Sequence, residues 1–386
     1  MTRVEETTEG IVAWVERLGQ RRLRCGECGR PARQVLRRDP PRRWRHLPLG
    51  STPCELFYRP HRVRCVHCGV RVEQVPWAAR WSRVTHPLSR ALAQLARQLS
   101  WREVAHHFRV DWKTVAATVR RAVAWGLQAR SLDALRVIGI DEVSRKKGHH
   151  YLTLVYDLRQ GRLVWVGEDR TEMTLEAFFA WLGPVRARRL EVVCLDMWAP
   201  YAAVVQRHAP QATRVFDRFH LVRHVNAAVD EVRRAEVRRL RGEERTTLKG
   251  TRYLLLKNPW NLTPAERRRL STVVKLNTRV IRAYYLKEEF QAFWHYVRTG
   301  WASRHLQHWL WWASHSRLAP FQKLAKLVRT HLAGILAWTR VRVTNGALEG
   351  MNNKIKLVSH RAYGYRNPQN YIAAIYHCCA QLPLPA

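Results

Sequence analysis

The chain has 386 residues, 46% of them hydrophobic, with 68 Lys and Arg against 30 Asp and Glu for a net charge of +38. That length suggests about two to four domains, and the hydrophobic share fills real cores, which excludes a disordered tail. The charge excludes an ordinary small-molecule metabolic enzyme and points to a polyanion, nucleic acid first.

Of the 68 basic residues 57 are Arg, a choice a GC-rich genome explains, but codon bias does not account for the shortage of acids. No stretch approaches the roughly 18–20 apolar residues of a spanning helix, and the start lacks the apolar core of a signal peptide. No membrane partner and a cytoplasmic location are therefore expected. There the eight cysteines read as metal ligands or buried thiols before disulfides.

The first segment, residues 1–82, is dense in Arg, Gly, Pro and Cys and carries short alternating runs at 11–15 and 70–72, as hairpins do. Cys25-Gly26-Glu27-Cys28-Gly29 and Cys65-Val66-His67-Cys68-Gly69 are two Cys-x-x-Cys-Gly knuckles with 36 residues between them. Each knuckle puts two thiolates on one side of a tight turn, and the pair completes a tetrahedron, so Cys25, Cys28, Cys65 and Cys68 are expected to hold a structural Zn²⁺. Two redox pairs or a disulfide framework are the weaker alternative. Cys54, Cys194, Cys378 and Cys379 lack partners at ligand spacing and read as buried thiols.

Residues 83–130 turn helical, with Leu88, Leu92, Leu95 and Leu99 three and four apart. Ser100 and Glu103 form a capping box opening a helix through Phe108; Arg109-Val110-Asp111 turns the chain, and Asp111 caps a second helix from Trp112 to about Trp125. Val115, Ala116, Val119 and Val123 face inward. Lys113, Thr114, Ala117, Arg120 and Arg121 are left outside, as a recognition helix in a major groove requires. A plain helical hairpin with a solvated basic face fits the same pattern.

Residues 131–222 read strand, strand, strand, helix, strand, helix, strand, with Gly161 in an antiparallel turn. The first apolar run ends in Asp141-Glu142 and the fourth in Asp196. Carboxylates at the ends of neighbouring central strands repel one another unless cations sit between them. Two Mg²⁺ ions (Mn²⁺ as a substitute) held by such acids are an engine for phosphodiester cleavage and transfer.

Residues 223–340 are helical, basic and rich in Trp. Spacing makes most of Trp260, Trp294, Trp301, Trp309, Trp311, Trp312 and Trp338 core, with stacking on an unpaired base the minority alternative. The Arg run from 233 to 245 is either a solvated helix face or a phosphate track, and the net charge favours the track. Residues 341–386 are helical again and open on Thr344-Asn345-Gly346. Glu349 supplies a third acid, and Asn352, Asn353 and Lys356 share its helix face. Each acid alone has a structural explanation: Asp141 a turn, Asp196 a helix cap near Pro200, Glu349 an ion pair with Lys356.

Taken together, Asp141-Glu142, Asp196-Met197-Trp198 with Tyr201, Asp217-Arg218-Phe219-His220, Asn345-Gly346, the run from Glu349 to Lys356, and Arg361-Ala362-Tyr363-Gly364-Tyr365-Arg366-Asn367 resemble the ISL3 family of insertion-sequence transposases. The resemblance runs from the zinc knuckles to Tyr371. It implies a multidomain α+β protein: zinc ribbon, helix-turn-helix and a ribonuclease H-like α/β core interrupted by an all-helical insertion. It implies a bacterial, nucleoid-associated DNA transposase using the triad Asp141, Asp196 and Glu349, 55 and 153 residues apart, as its Mg²⁺ ligands. Its partners would be double-stranded DNA, as terminal inverted repeats and target, with a homodimer at synapsis.

Asp217 also follows a strand and competes for the second position, but Asp196 ends the more apolar run. Asp217, Arg218 and His220 are then supporting residues, and Glu142 and Asp157 second-rank or surface acids. Lys113, Thr114, Arg120, Arg121, Asn352, Asn353, Lys354, Lys356, Arg361 and Arg366 are the expected DNA contacts. The rivals are a catalytically silent DNA-binding regulator of the same build and a junction resolvase, which seldom carries a separate sequence-reading module.

Overall fold

The computed structural model describes residues 2–17, 22–146, 148, 150–276, 278–342 and 346–385, the side chains of 276, 278 and 346–349 excepted. Two compact units divide the chain: Met1–Ser131 with Asn353–Ala386, and Leu132–Asn352. No described helix is long and apolar enough to cross a membrane.

In the first unit, strands β1 (Arg3–Thr7), β2 (Gly10–Trp14), β3 (Gln34–Arg38), β4 (Arg42–Leu49), β5 (Thr52–Tyr58), β6 (His61–Cys65) and β7 (Gly69–Val72) form two sheets. One runs β1-β2-β5-β4 and the other β3-β6-β7. The 36-residue gap between the knuckles is therefore filled by the β4–β5 hairpin and its flanking strands. Buried Trp44, Tyr58 and Ala78 make a small core with Trp77, whose ring meets Trp44 and Tyr58 edge-on at 5.7 and 5.2 Å.

Three helices follow: α1 (His86–Leu95), α2 (Trp101–His107) and α3 (Trp112–Ala129). The capping box is present, Ser100 Oγ accepting from Glu103 N–H at 3.2 Å and Glu103 Oε2 from Ser100 N–H at 2.7 Å. Asp111 caps α3 by accepting from Lys113 N–H at 2.7 Å. Helix α3 runs one turn past the end expected from its periodicity. There Gly126 is buried, and a Cβ on it would meet Leu382 Cβ at 2.8 Å, so the C-terminal segment covers a turn that periodicity leaves uncovered.

The second unit contains β8 (Val137–Lys146), β9 (His150–Asp157), β10 (Arg162–Glu168), α4 (Glu172–Leu182), the short α5 (Pro184–Ala187), β11 (Val192–Leu195), α6 (Ala199–His208) and β12 (Thr213–Phe216). The sheet order is β10-β9-β8-β11-β12, with β8, β9 and β10 antiparallel and β8, β11 and β12 parallel. The near-continuous apolar runs of β8 and β11 are those of strands covered on both faces.

Helices α7 (Arg218–Arg239), α8 (Gly242–Leu248), α9 (Arg252–Leu256), α10 (Pro264–Leu276), α11 (Thr278–Ala292), α12 (Thr299–His315), α13 (Ala319–Thr330) and α14 (Leu332–Val341) come next. α11 and α13 pack on α7, and α14 packs on β12. Gly334 lets α14 approach closely, since a Cβ there would lie 2.4 Å from the Phe216 ring. Sheet and helices share one continuous hydrophobic cluster, from Ile138 and Val193 to Trp309 and Trp338. α15 (Gly346–Arg361) and α16 (Pro368–Cys379) end the chain, and α16 packs on α3 in the first unit.

Candidate active site

The acids are brought together by strand register. β11 pairs with β8 as Val192↔Val137, Val193↔Ile138 and Cys194↔Gly139, which places Asp196 level with Asp141. β12 pairs with β11 up to Leu195↔Phe216, which places Asp217 level with Asp196. Three aspartates thus stand level across three adjacent parallel strands, Asp196 and Asp217 just past the ends of β11 and β12 and Asp141 midway along β8, which continues to Lys146 and so outruns its apolar run. In each, one carboxylate oxygen accepts a nearby backbone N–H: Asp141 Oδ1 from Glu142 at 2.7 Å, Asp196 Oδ1 from Met197 at 2.6 Å, Asp217 Oδ1 from Phe219 at 2.7 Å. The last of these is the N-cap of α7.

One turn into α7, His220 sits among all three. Its Nδ1 lies 3.3 Å from Asp196 Oδ2, and its Nε2 lies 3.6 Å from Asp217 Oδ2 and 3.9 Å from Asp141 Oδ1. Arg170, in the turn after β10, reaches Glu142 Oε1 at 3.1 Å and Asp196 Oδ2 at 3.8 Å, and lies 4.9 Å from the Trp198 ring centroid. Burial pushes the Glu142 carboxyl up to about 7; Arg170 opposes the rise, while Asp141 and Asp196 add to it. Asp141 Oδ2 accepts from Asn352 Nδ2 on α15 at 2.6 Å, and Asn352 Oδ1 accepts from the Tyr156 phenol at 2.7 Å. Converging carboxylates with few cations between them are hard-oxygen donors of the kind that suit Mg²⁺ or Mn²⁺.

The remaining expected residues fall in several places. Glu349 is on α15, but its side chain lies outside the described ones, as do Thr344 and Asn345 altogether. Asn353, Lys354, Lys356 and Arg366 are exposed. Arg361 is half-buried and donates to the Arg97 carbonyl at 3.2 Å and to Cys378 Sγ at 3.6 Å. Arg218 lies 5.3 Å from the Trp294 ring centroid, and burial lowers its guanidinium pKa. On α3, Val115, Ala116, Val119 and Val123 are buried, whereas Lys113, Arg120 and Arg121 are exposed and Thr114 is half-exposed.

The four knuckle cysteines place their sulfurs within 4.8 Å of one another, with Cys28 and Cys65 3.6 Å apart; among the described residues no other group of ligating side chains is so close. A tetrahedron of about 2.3 Å Zn–S bonds needs sulfurs about 3.8 Å apart, so the quartet fits zinc and could hold that ion. Backbone N–H groups of Cys68 and His67 lower the Cys65 thiol to about 7. Gly29 and Gly69 turn each knuckle at φ of +68° and +71°. His67 is exposed and hydrogen-bonded to Arg30 at 2.6 Å.

Three expectations need correction. Asp157 is not a surface acid: it is 1% exposed and accepts from the backbone of Arg159 and Gln160. The tryptophans divide, with Trp294, Trp309 and Trp338 buried and Trp260, Trp301 and Trp311 exposed, because spacing gives a face without saying whether another helix covers it. In the Arg run, Arg233 is turned inward onto buried Asp230, which withdraws it from a phosphate track, whereas Arg234 and Arg239 pair with Asp230 and Glu236 and remain largely exposed. Arg170 and Tyr156 carried no spacing signal and were missed.

A family model described as "Transposase" matches residues 138–375, and one described as "Helix-turn-helix domain of transposase family ISL3" matches residues 73–123. The chain is 33% identical over 355 residues to the transposase for insertion sequence element IS1001 of Bordetella parapertussis, covering 91% of this chain and 87% of that protein. It is 34% identical over 376 residues to the transposase for insertion sequence element IS1557 of Mycobacterium tuberculosis, covering 91% and 84%. These relatives do not favour a silent regulator. With its acid row, its helix-turn-helix and these relatives, the chain belongs to the ISL3 family of transposases and is a DNA transposase.

Proposed function

We propose that this transposase binds the terminal inverted repeats of its element and cleaves and joins DNA at a two-metal centre held by Asp141, Asp196 and Glu349. The observation that carries this reading is the register that sets Asp141 and Asp196 level on adjacent parallel strands, each with one oxygen tied to the backbone. Asp196 Oδ2 and Asp141 Oδ1 both face His220, which sets the two carboxylates around a common centre. The sheet order, three antiparallel strands followed by two parallel ones, supports a ribonuclease H-like core. Asp196 is preferred to Asp217 for the second position because it ends the more apolar run and its strand, β11, lies directly beside β8.

In this reading residues 1–82 are a zinc ribbon, 83–130 the helix-turn-helix, 131–222 and 341–386 the core, and 223–340 a helical insertion. Bound Mg²⁺ would activate water or a 3′-hydroxyl and stabilise the leaving oxygen. Lys113, Thr114, Arg120 and Arg121 meet the repeat, and Asn353, Lys354, Lys356, Arg361 and Arg366 meet the DNA backbone. Two copies bring two ends together at synapsis in the bacterial nucleoid.

The test is Mg²⁺-dependent cleavage of DNA carrying the element ends. Asp141→Ala and Asp196→Asn should each lower cleavage by at least about 10³-fold while shifting DNA affinity less than about twofold. Wild-type cleavage by Asp196→Asn would transfer the role to Asp217.

A further inference from the structure

Asn352 lies on the same helix face as Glu349, where an amide suits a DNA phosphate. Its side chain is otherwise engaged. Nδ2 donates to Asp141 Oδ2 at 2.6 Å, and Oδ1 accepts from Tyr156 at 2.7 Å. A carboxylate only accepts, so the amide nitrogen must face Asp141, and this leaves the amide oxygen to the phenol. Tyr156 is 2% exposed and anchored on β9, opposite Gly139 in the register that puts Leu154 opposite Asp141. The phenol and the carboxylate therefore leave the same face of the sheet.

We infer that Tyr156 and Asn352 form a relay that fixes the orientation of Asp141 for metal binding, so that Asn352 is a positioning residue rather than a phosphate contact. Asp141 has both oxygens tied, Oδ1 to the Glu142 amide and Oδ2 to Asn352. Asp196 and Asp217 have their Oδ1 tied and turn Oδ2 to His220. Each Asp141 oxygen keeps a second lone pair for a cation, and the two bonds remove the rotation about χ2 that binding would otherwise have to freeze. The inference rests on Asp141 being a metal ligand, and the experiment separates the two.

The zinc-loaded full chain is titrated with Mn²⁺ and followed by electron paramagnetic resonance, with affinity for an end-bearing duplex measured alongside and a thermal melt as the check on folding. Asn352→Leu should weaken Mn²⁺ binding about 10- to 100-fold. Tyr156→Phe should weaken it about 3- to 10-fold, and duplex affinity should stay within about twofold for both. Asp141→Ala should abolish binding, leaving the free Mn²⁺ signal undiminished by the protein. If Asp141→Ala keeps wild-type Mn²⁺ affinity, the assignment of Asp141 falls and the relay with it. If Asp141→Ala loses the ion but Asn352→Leu does not, the relay is overturned and Asp141 stands. Weaker duplex binding by Asn352→Leu with unchanged Mn²⁺ affinity returns Asn352 to phosphate. Should Asn352→Leu fail to fold, Tyr156→Phe decides, and unchanged Mn²⁺ affinity there overturns the relay.

Discussion

At the scale of single residues, the site is assembled from groups whose freedom has been removed one bond at a time. Backbone amides hold an oxygen of each aspartate, and a histidine and an arginine lie among the charges. Elsewhere a single buried group sets a pH limit. His377 on α16 donates its Nε2–H to the Ala93 carbonyl at 2.6 Å, and burial lowers its pKa to about 4, with Arg97 and Arg361 adding to the fall. The unfolded chain binds the proton near the ordinary histidine value of about 6.5, so between pH 6.5 and 4 the unfolded state holds more protons. Stability is then present above about pH 6.5 and is lost on acidification, by up to about 3 kcal/mol at pH 4. Denaturant titrations at pH 7 and pH 5 should show the wild type losing more stability than His377→Gln; equal losses would exclude His377 as the source.

At the scale of elements, local chemistry decided where helices begin, and packing decided which sides are covered. The capping box at Ser100 and Glu103 and the cap at Asp111 were legible because a cap is a contact between residues two or three apart. Ser100→Ala should cost about 1 kcal/mol in the denaturation of the first unit, with the exposed face of α3 unchanged. The meeting of α14 with β12 has no such local signature. It depends on Gly334, where a side chain would collide with Phe216. Gly334→Val should therefore destabilise the second unit by about 1–3 kcal/mol, read as a lowered denaturant midpoint. The tryptophans carry the same lesson on α12: Trp309 is buried and hydrogen-bonded to the Leu286 carbonyl at 2.8 Å, whereas Trp301 and Trp311 on the same helix are open.

At the scale of the molecule, composition set the partner and the cysteines set the front end. A front unit of short strands has a small core of Trp44, Tyr58 and Ala78, so a metal would carry much of its order. Chelation, or Cys28→Ser, should release zinc, open residues 22–82 to proteolysis and weaken DNA binding, while the second unit keeps its melting transition. A front unit equally resistant to protease without zinc would show that its strands hold themselves together.

The amino-acid sequence by itself determined the charge, the knuckles, the caps, the alternation of strands and helices in residues 131–222, and the acids that follow apolar runs. These depend on residues near one another in the chain, where spacing is geometry. Only the tertiary structure decided that Asp141, Asp196 and Asp217 stand level, that His220 lies among them, and that Asn352 meets Asp141 across 211 residues. It also decided that residues 353–386 gather with the first unit. Strand register and helix packing are settled by burial between distant segments, and burial leaves no period in the sequence to read.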